Sequence, residues 1–150
     1  MAYETTHQAF EKSIDQLNSF LRDELAACET YRQALDKLAD SPFRDELTSC
    51  LRSHETRAEE LKTRVVGLGG KPADGPGAWG TFATLVAGAA KAFGLKSAIA
   101  AIEQGEDHGL KGYRRDLQDL DPESRQLATR LLAEQERTHA VVSGIKHSLH

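Results

Sequence analysis

An internal repeat, offset by 82 residues, is the feature of the sequence that most limits how the chain can fold. The segment from Glu24 to Leu38 matches the segment from Glu106 to Leu120 at regularly placed positions. The matched pairs are Glu24 and Glu106, Tyr31 and Tyr113, Arg32 and Arg114, Leu35 and Leu117, and Leu38 and Leu120. A duplication of this kind predicts two similar halves that fold in the same way.

Four segments carry apolar residues in alternating steps of three and four, which is the spacing of amphipathic helices. The predicted helices run from about Thr6 to Leu38, Ser41 to Gly70, Leu95 to Leu120 and Asp121 to Leu149. The second and fourth begin with a capping residue and a proline. Because the connections within each half are short, each half is predicted to be an antiparallel helical hairpin. The whole is predicted to be one all-α domain over residues 1–150.

A long connection separates the two hairpins. It is rich in Gly and Pro between Gly69 and Gly77, and the following segment from Trp79 to Phe93 has apolar residues at helical spacing. We expect a crossover that carries a short helix, too short and too interrupted to span a bilayer. This helix is interpreted as a flap on the bundle, a homodimer contact or a membrane-surface helix.

Charge and cysteine usage narrow the possible partners and the compartment. The net charge is -4, with both signs interspersed, so no basic stripe is available for nucleic acid. The segment from Met1 to Phe10 has no apolar leader, which favours the cytoplasm. Cys28 and Cys50 fall within the amphipathic patterns and are predicted to be buried thiols.

Polar residues interrupt the apolar seams at one level of all four helices. Glu24 and its repeat partner Glu106 occupy seam positions of the first and third helices, and His54 falls on the inner face of the second. The offset of 82 residues superposes the segment from His54 to Ala58 on the segment from Glu136 to Ala140. Each helix is therefore expected to bring polar groups to a common level of the core.

This pattern resembles the ferritin-like di-metal carboxylate proteins, such as the bacterioferritin and rubrerythrin types. In these proteins two helices each supply a Glu and the other two each supply Glu-x-x-His. The segment from Glu24 to Tyr31 resembles the first-helix motif of bacterioferritin, and Glu136 with His139 matches Glu-x-x-His. The resemblance implies an antiparallel four-helix bundle of two repeated hairpins.

Over nearly its whole length the chain also resembles a bacterial family of ferritin-like proteins known only as a domain of unknown function. The resemblance is carried by the segment from Leu61 to Pro72, the crossover at Trp79 and the run from Glu103 to His108. It implies the ferritin-like fold and brings no activity with it.

The second helix departs from the di-metal pattern, because His54 stands at the position of a Glu and Arg57 at the position of a His. A guanidinium stays protonated and cannot bind a metal ion. We therefore expect Arg57 to pair with Glu24, and at most a mononuclear site for iron, manganese or zinc. The predicted ligands are Glu106, Glu136, His139, His54 and Glu24, with Arg57, Tyr31 and Tyr113 around them, and no catalytic residue is assigned.

A metal-free polar cluster is the alternative, because Arg57 and two protonated histidines can balance the three carboxylates. The chain would then be a non-catalytic helical module that acts through protein association. Ferroxidase activity and iron storage are weaker options. We expect Tyr31 and Tyr113 to hydrogen-bond the inner carboxylates. Several residues are instead expected to be solvated: Glu29, Glu55, Glu103, Asp107, His7, His108, His147 and His150.

Overall fold

The computed structural model describes residues 2–77 and 82–149, with side chains described for residue 8 and from residue 10 onward. Five α-helices make up the described chain: α1 (Ala2–Lys37), α2 (Arg44–Gly67), α3 (Phe82–Phe93), α4 (Leu95–Arg115) and α5 (Pro122–Ser148). No strand occurs in these two described ranges. The predicted all-α class is confirmed.

Helix bounds differ from prediction at several ends. Helix α1 begins at Ala2, before the predicted Thr6. Helix α2 begins at Arg44. Residues 41–43 form a turn ahead of α2, in which the Ser41 hydroxyl accepts a hydrogen bond from the backbone N–H of Phe43 at 3.0 Å. By contrast, the predicted start of α5 is confirmed, because the Asp121 side chain caps it by accepting from the backbone N–H of Ser124.

Helix α4 ends at Arg115 and not at the predicted Leu120. The apolar pattern misled the prediction because it continues into the turn after the helix. Leu120 is buried there, and Leu117 packs against the same apolar cluster. Because these leucines are buried after the helix has ended, the predicted helix was longer than α4 by about one helical turn.

The helices pack as two antiparallel hairpins. Helix α1 contacts α2, α3 and α4, and α5 contacts α2 and α4. The contacts fix the directions, since Asn18 in the middle of α1 hydrogen-bonds Lys71 beyond the end of α2, while Arg32, further along α1, pairs with Glu55, which lies earlier on α2. In the second hairpin Glu103 of α4 bonds Ser143 of α5. Glu106, which is further along α4, bonds Thr138, which lies earlier on α5.

Two apolar clusters fill the core, and a polar layer lies between them along the helices. One cluster includes Tyr31, Leu47, Ile102 and Val142. The other includes Leu17, Leu61, Tyr113 and Leu131. On each of the four long helices, buried polar residues fall between members of these two clusters: Glu24, His54, Arg57, Glu106, Gln135 and Thr138. The fold therefore holds a polar centre closed at both ends by apolar side chains.

Helix α3 packs on the outside of α1 and α4. Ala83, Val86 and Ala90 form its buried face, and its close approach to α4 depends on Gly105, where a Cβ would come 3.0 Å from the Phe82 ring. Leu85 and Phe93 are 66% and 77% exposed. Trp79, which the sequence placed in this crossover helix, lies outside the described residues. None of the helices in the described ranges has the length and apolar content needed to cross a membrane.

Candidate functional site

The polar centre is built by eight side chains, two from each of α1, α2, α4 and α5. They are Glu24, Tyr31, His54, Arg57, Glu106, Tyr113, Gln135 and Thr138, and all are buried. These residues interrupt the apolar seams of their helices, so the seam spacing itself directs them inward. Because buried polar groups are costly unless paired, the function of the centre depends on how its hydrogen bonds are satisfied.

His54 joins the two carboxylates at the middle of the centre. Its Nδ1 lies 2.8 Å from Oε2 of Glu24, and its Nε2 lies 2.7 Å from Oε2 of Glu106. Burial acts to lower the pKa of His54, but the two carboxylates outweigh burial and raise the pKa above its usual value. Each ring nitrogen faces a carboxylate oxygen, so the protonated imidazole donates from both nitrogens, and His54 links α1, α2 and α4.

Arg57 is the second cation, and its side chain is only 1% exposed. Its guanidinium donates to Glu24 Oε1 at 3.4 Å, to Thr138 Oγ1 at 3.0 Å and to the Gln135 side-chain oxygen. Its Nε donates to the backbone oxygen of Ser53 at 3.4 Å. Burial acts to lower the pKa of Arg57, but Glu24 and the other neighbours raise it. The predicted pairing of Arg57 with Glu24 is present.

Glu106 accepts hydrogen bonds from four side chains. Tyr31 donates to it at 2.6 Å, His54 at 2.7 Å, Thr138 at 2.7 Å and the Gln135 amide at 3.0 Å. Burial acts to raise the pKa of this carboxyl, but the imidazolium and the hydrogen bonds outweigh it and lower the pKa to about 2. Glu106 is thus a fully paired carboxylate.

The two tyrosines connect the halves of the repeat to each other. Tyr31 of the first half donates to Glu106 of the second, and Tyr113 of the second half donates to Glu24 of the first at 2.9 Å. These are the hydrogen bonds expected from the sequence. Burial and the adjacent carboxylates raise the pKa of both tyrosines well above its usual value, so each remains a donor. Burial acts to raise the pKa of Glu24, but Arg57 and His54 outweigh it and lower the pKa.

The charges of the centre cancel. Glu24 and Glu106 are carboxylates, and His54 and Arg57 are cations, so the buried charge sums to zero. Every one of the eight side chains also has a hydrogen-bond partner within the group. A buried ionic cluster of this kind persists when its geometry satisfies both charges and lone pairs.

Two predicted ligands lie outside this centre. Glu136 is 52% exposed on its side chain and lies 3.9 Å from Arg114 on the surface. His139 points to the side of the α4 and α5 pair, where its Nε2 lies 2.5 Å from Oδ1 of Asp107. The prediction that both project into the core is wrong, because Gln135 and Thr138 occupy the inner positions of α5. The prediction missed these two residues.

A change of offset explains the error. The stretch from Tyr113 to Gln135 is one residue shorter than the stretch from Tyr31 to His54. His54 therefore corresponds to Gln135 and not to Glu136. A shift of one residue turns a side chain about 100° around a helix. The apolar seam of α5 carries the missing signal, since Leu131, Gln135, Thr138 and Val142 follow alternating steps of four and three.

Other singled-out residues are paired at or near the surface. Glu103 accepts hydrogen bonds from Ser143 at 2.6 Å and from Lys146 at 2.9 Å. The side chain of His108 is 33% exposed, and its Nε2 lies 3.3 Å from Oδ1 of Asp23.

The remaining predicted surface residues are placed as follows. Glu29 accepts a hydrogen bond from Gln33, and Glu55 accepts one from Arg32. His147 is exposed, while the side chain of His7 and the whole of His150 lie outside the described residues.

The two cysteines are buried and unpaired, as predicted. Burial raises the pKa of the Cys28 thiol to about 12 and that of Cys50 to about 11, and the nearby carboxylates act in the same direction. A thiolate is the reactive form of cysteine, so neither residue has the character of a nucleophile or redox centre.

The centre does not fit a di-metal site. Within the described ranges, no three His, Cys, Asp or Glu side chains are grouped in a way that can hold a metal ion. Arg57 has no lone pair to offer, and the amide and hydroxyl of Gln135 and Thr138 are weak substitutes for Glu and His. The nitrogens of His54 already face carboxylates. A metal at this position stays a prediction from the sequence.

A cavity of about 30 Å³ borders the centre on the side of α1 and α4. Glu24, His54 and Glu106 contribute to its polar wall, and Asp23 and His108 line it as well. Its apolar lining includes Phe82, Ile102, Ala26 and Ala27. A space of this size with several polar neighbours suits a water molecule or another species of similar size.

Comparison with known protein families assigns the chain to one of them. A family model described as Domain of unknown function (DUF2383) matches residues 12–119. The chain belongs to the DUF2383 family. No curated protein and no solved structure matches it. The DUF2383 match contains the carboxylates and cations of the centre and ends before α5, so Gln135 and Thr138 lie beyond it.

Proposed function

We propose that the chain is a ferritin-like bundle in which a charge-balanced network takes the place of the metal centre, and that it acts through protein association. The proposal rests on one observation above all, the position of Arg57. Its guanidinium is 1% exposed and is bonded to groups from α1, α2 and α5. A fixed positive charge at the centre of the core makes a metal ion unnecessary for neutralising the carboxylates.

The likeness to ferritin-like proteins is supported by the kinds of polar residue that each of the four long helices contributes to the centre. Two helices each supply a Glu, at Glu24 and Glu106, and the other two each supply a polar pair spaced i and i+3. In the di-metal carboxylate proteins those pairs are Glu-x-x-His. Here they are His54 with Arg57 and Gln135 with Thr138, so the positions are kept while the ligand chemistry is replaced.

The rival reading is a mononuclear iron, manganese or zinc site that uses Glu106, His54 and Glu24. It requires a metal ion to displace the protons that His54 shares with both carboxylates. The same ion would stand close to the Arg57 guanidinium, which lies 3.3 Å from His54 Nε2 through its Nη2. These two costs favour the metal-free reading.

Elemental analysis of untagged protein tests the choice directly. We expect no iron, manganese or zinc at stoichiometric level, before or after incubation with ferrous iron, in the natural chain and in a Glu106→Gln variant. The variant serves as the control for adventitious surface binding. One tightly held ion per natural chain that disappears in the variant would overturn the proposal in favour of the metal site.

Association is proposed to occur between two copies of the chain through α3. Leu85 and Phe93 are the most exposed large apolar side chains in the described part of the molecule, and both lie on this helix. They belong to the crossover segment from which a homodimer was predicted. Large apolar side chains that face solvent together commonly mark an interaction surface.

Light scattering coupled to gel filtration tests this second part. We expect the natural chain to elute as a dimer and a Leu85→Ser, Phe93→Ser variant as a monomer with unchanged helical content. Val66→Ser is the matched control, because Val66 is 58% exposed but lies on α2. A natural chain that is monomeric at high concentration would refute the dimer and leave the metal-free centre untouched.

A further inference from the structure

We propose that the cavity beside the polar centre is a binding site for water, and that this water carries protons between solvent and the buried His54. The centre would then exchange protons with its surroundings while the bundle stays folded. Proton exchange at this site goes beyond the proposed function and is independent of whether two copies of the chain associate.

The cavity is lined both by the polar centre and by an ion pair that reaches solvent. Glu24, His54 and Glu106 contribute to its wall from the centre. Asp23 and His108 also line it, and their side chains are 28% and 33% exposed. Of the side chains that line this cavity, the deeply buried charges and a partly exposed ion pair are therefore neighbours of one enclosed space.

Small residues leave the room for this cavity between α1 and α4. Ala26 and Ala27 line it from α1, and Gly105 and Gly109 line it from α4. Its volume is about 30 Å³. One water molecule needs about 10–15 Å³ of such volume, so the cavity has room for roughly two.

Buried acceptors on the cavity wall favour an occupant that donates hydrogen bonds. Among the described residues, Oε2 of Glu24 accepts a hydrogen bond from His54 alone, whereas a carboxylate oxygen has lone pairs for two. The Thr30 hydroxyl is also buried and donates to the backbone oxygen of Ala26 at 2.8 Å, which leaves the lone pairs of its own oxygen for a donor.

Charge selects a neutral donor. The charges of the centre already sum to zero, and Asp23 is paired with His108. An added ion would be an uncompensated charge in a largely buried space, which is costly. Water is neutral, donates two hydrogen bonds and matches the volume of the cavity.

Water at this position gives the Nδ1 proton of His54 a way out. The proton lies between Nδ1 and Oε2 of Glu24, which are 2.8 Å apart. It passes to Glu24 and then through the water to the Asp23 carboxylate, and a solvent proton returns by the reverse path. The charge of the centre is therefore unchanged after each exchange. Burial raises the pKa of Asp23, which makes this carboxylate a better proton acceptor.

The Nε2 proton of His54 is the internal comparison. It faces Glu106, whose two oxygens already accept hydrogen bonds from Tyr31, His54, Thr138 and Gln135. These four bonds use all the lone pairs of the carboxylate. Water in the cavity consequently has no free acceptor on Glu106, and the two ring protons of His54 should differ in their exchange with solvent.

Solvent exchange of the two ring N–H protons of His54 tests the route. Nuclear magnetic resonance of the full chain with isotope-labelled histidine measures it, with a chelator present so that metal ions play no part. We expect the Nδ1 proton to exchange at least about 100-fold faster than the buried backbone amides of α1 and α2, which exchange when the helices open. The Nε2 proton should be at least about 10-fold slower than the Nδ1 proton. Magnetisation transfer from water to the methyl groups of Ala26 and Thr30 detects the bound water itself.

Two variants alter the route at different points. Thr30→Val makes part of the wall apolar at nearly constant volume, and Asp23→Asn removes the acceptor that reaches solvent. Each should slow Nδ1 exchange by about 10-fold or more relative to the core amides. Thr48→Val is the matched control for the first, because Thr48 makes the same 2.8 Å bond to the backbone four residues earlier but does not line the cavity. Asp107→Asn is the control for the second, because Asp107 also pairs with a histidine outside the cavity. Both controls should leave Nδ1 exchange unchanged.

The natural chain alone can overturn the proposal, so a variant that fails to fold does not leave it untested. Nδ1 exchange no faster than that of the core amides refutes the proton route. Absence of magnetisation transfer from water to both methyl groups refutes the water site. If Thr30→Val slows the exchange and a folded Asp23→Asn does not, the water site stands and the path through Asp23 is wrong. None of these results bears on the dimer.

Discussion

Helices α2 and α5 occupy corresponding places in the two halves of the repeat, yet the side chains that they contribute to the centre differ in charge. Helix α2 contributes both cations, His54 and Arg57, while α5 contributes the uncharged Gln135 and Thr138. The carboxylates and tyrosines of α1 and α4 are the same residue types in both halves. The repeat therefore preserves the positions of the inner residues, whereas both positive charges of the centre come from its first half.

Because of this division, the inner side chains of α2 and α5 are expected to contribute unequally to the free energy of unfolding. The charges on α2 compensate two buried carboxylates, whereas the groups on α5 orient those carboxylates and the guanidinium by hydrogen bonds. Removing one partner of a buried ion pair leaves an uncompensated charge, which costs much more than removing a neutral hydrogen bond. Substitutions on α2 should therefore be more damaging than matched substitutions on α5.

The largest effect is expected for Arg57→Met compared with Thr138→Val. The methionine has a similar reach without the charge, so Glu24 loses a counter-ion in the core. We expect the free energy of unfolding to fall by about 3–5 kcal/mol. Thr138→Val removes one hydroxyl and should cost about 1–3 kcal/mol. Urea unfolding monitored by circular dichroism measures both, and equal losses would contradict the division between the helices.

Acid should weaken the centre through Glu106. Its pKa is about 2 in the folded chain and has a reference value of 4.5, so its contribution is complete above about pH 4.5 and is lost as pH falls toward 2. The loss is on the order of 3 kcal/mol. Unfolding free energies measured across this range should show a steep acid limb that is reduced in Glu106→Gln. An identical limb in the variant would assign acid sensitivity to other carboxylates.

His54 gives the opposite dependence. Because its pKa is raised in the folded chain above the reference value of 6.5, its contribution is complete below that pH and is lost as pH rises through the folded value. Together the two groups place their joint maximum between about pH 4.5 and 6.5. The imidazole resonances of His54 should accordingly remain those of the protonated ring above pH 6.5.

The sequence was a good guide to the helices and to six of the eight side chains of the centre. Apolar spacing located the long helices because burial of an apolar stripe dominates their formation. Glu24, His54, Arg57 and Glu106 were recognised because charged groups at seam positions are rare and must be paired. The pairing itself could be inferred for Arg57, which has no other role available to it in a buried site.

The prediction for the inner residues of α5 was wrong because the offset of 82 residues does not hold across this helix. A connection shortened by one residue leaves the pattern of residue types almost unchanged but rotates the helix by about 100°. Gln135 and Thr138 are also common surface residues, so their types carry no warning. Only their position between Leu131 and Val142 identifies them as inner residues.

A glycine substitution tests how tightly α5 is held against α4. At Gly109 an added Cβ would lie 2.7 Å from Nε2 of Gln135, an amide that already donates to the backbone and side chain of Glu106. Gly109→Ala should displace this amide and cost about 1–3 kcal/mol. Gly144→Ala is the control, because its Cβ meets nothing within 4 Å. It should stabilise the helix by about 0.5–1 kcal/mol, and an equal gain at Gly109 would show a loosely held Gln135.

The smallest effect is expected at Glu136, the predicted ligand that lies on the surface of α5. Its side chain is 52% exposed, and its nearest cation, Arg114, is 3.9 Å away and 58% exposed. Solvent screens such a pair, so Glu136→Gln should change the unfolding free energy by less than about 0.5 kcal/mol. Glu106→Gln is the matched comparison, with the same substitution at a carboxylate that accepts four buried hydrogen bonds. Chemical denaturation of the two variants side by side measures the contrast. If Glu136→Gln proved as damaging as Glu106→Gln, α5 would present Glu136 inward, and the division of roles between α2 and α5 would fail, because both helices would then carry charge into the centre.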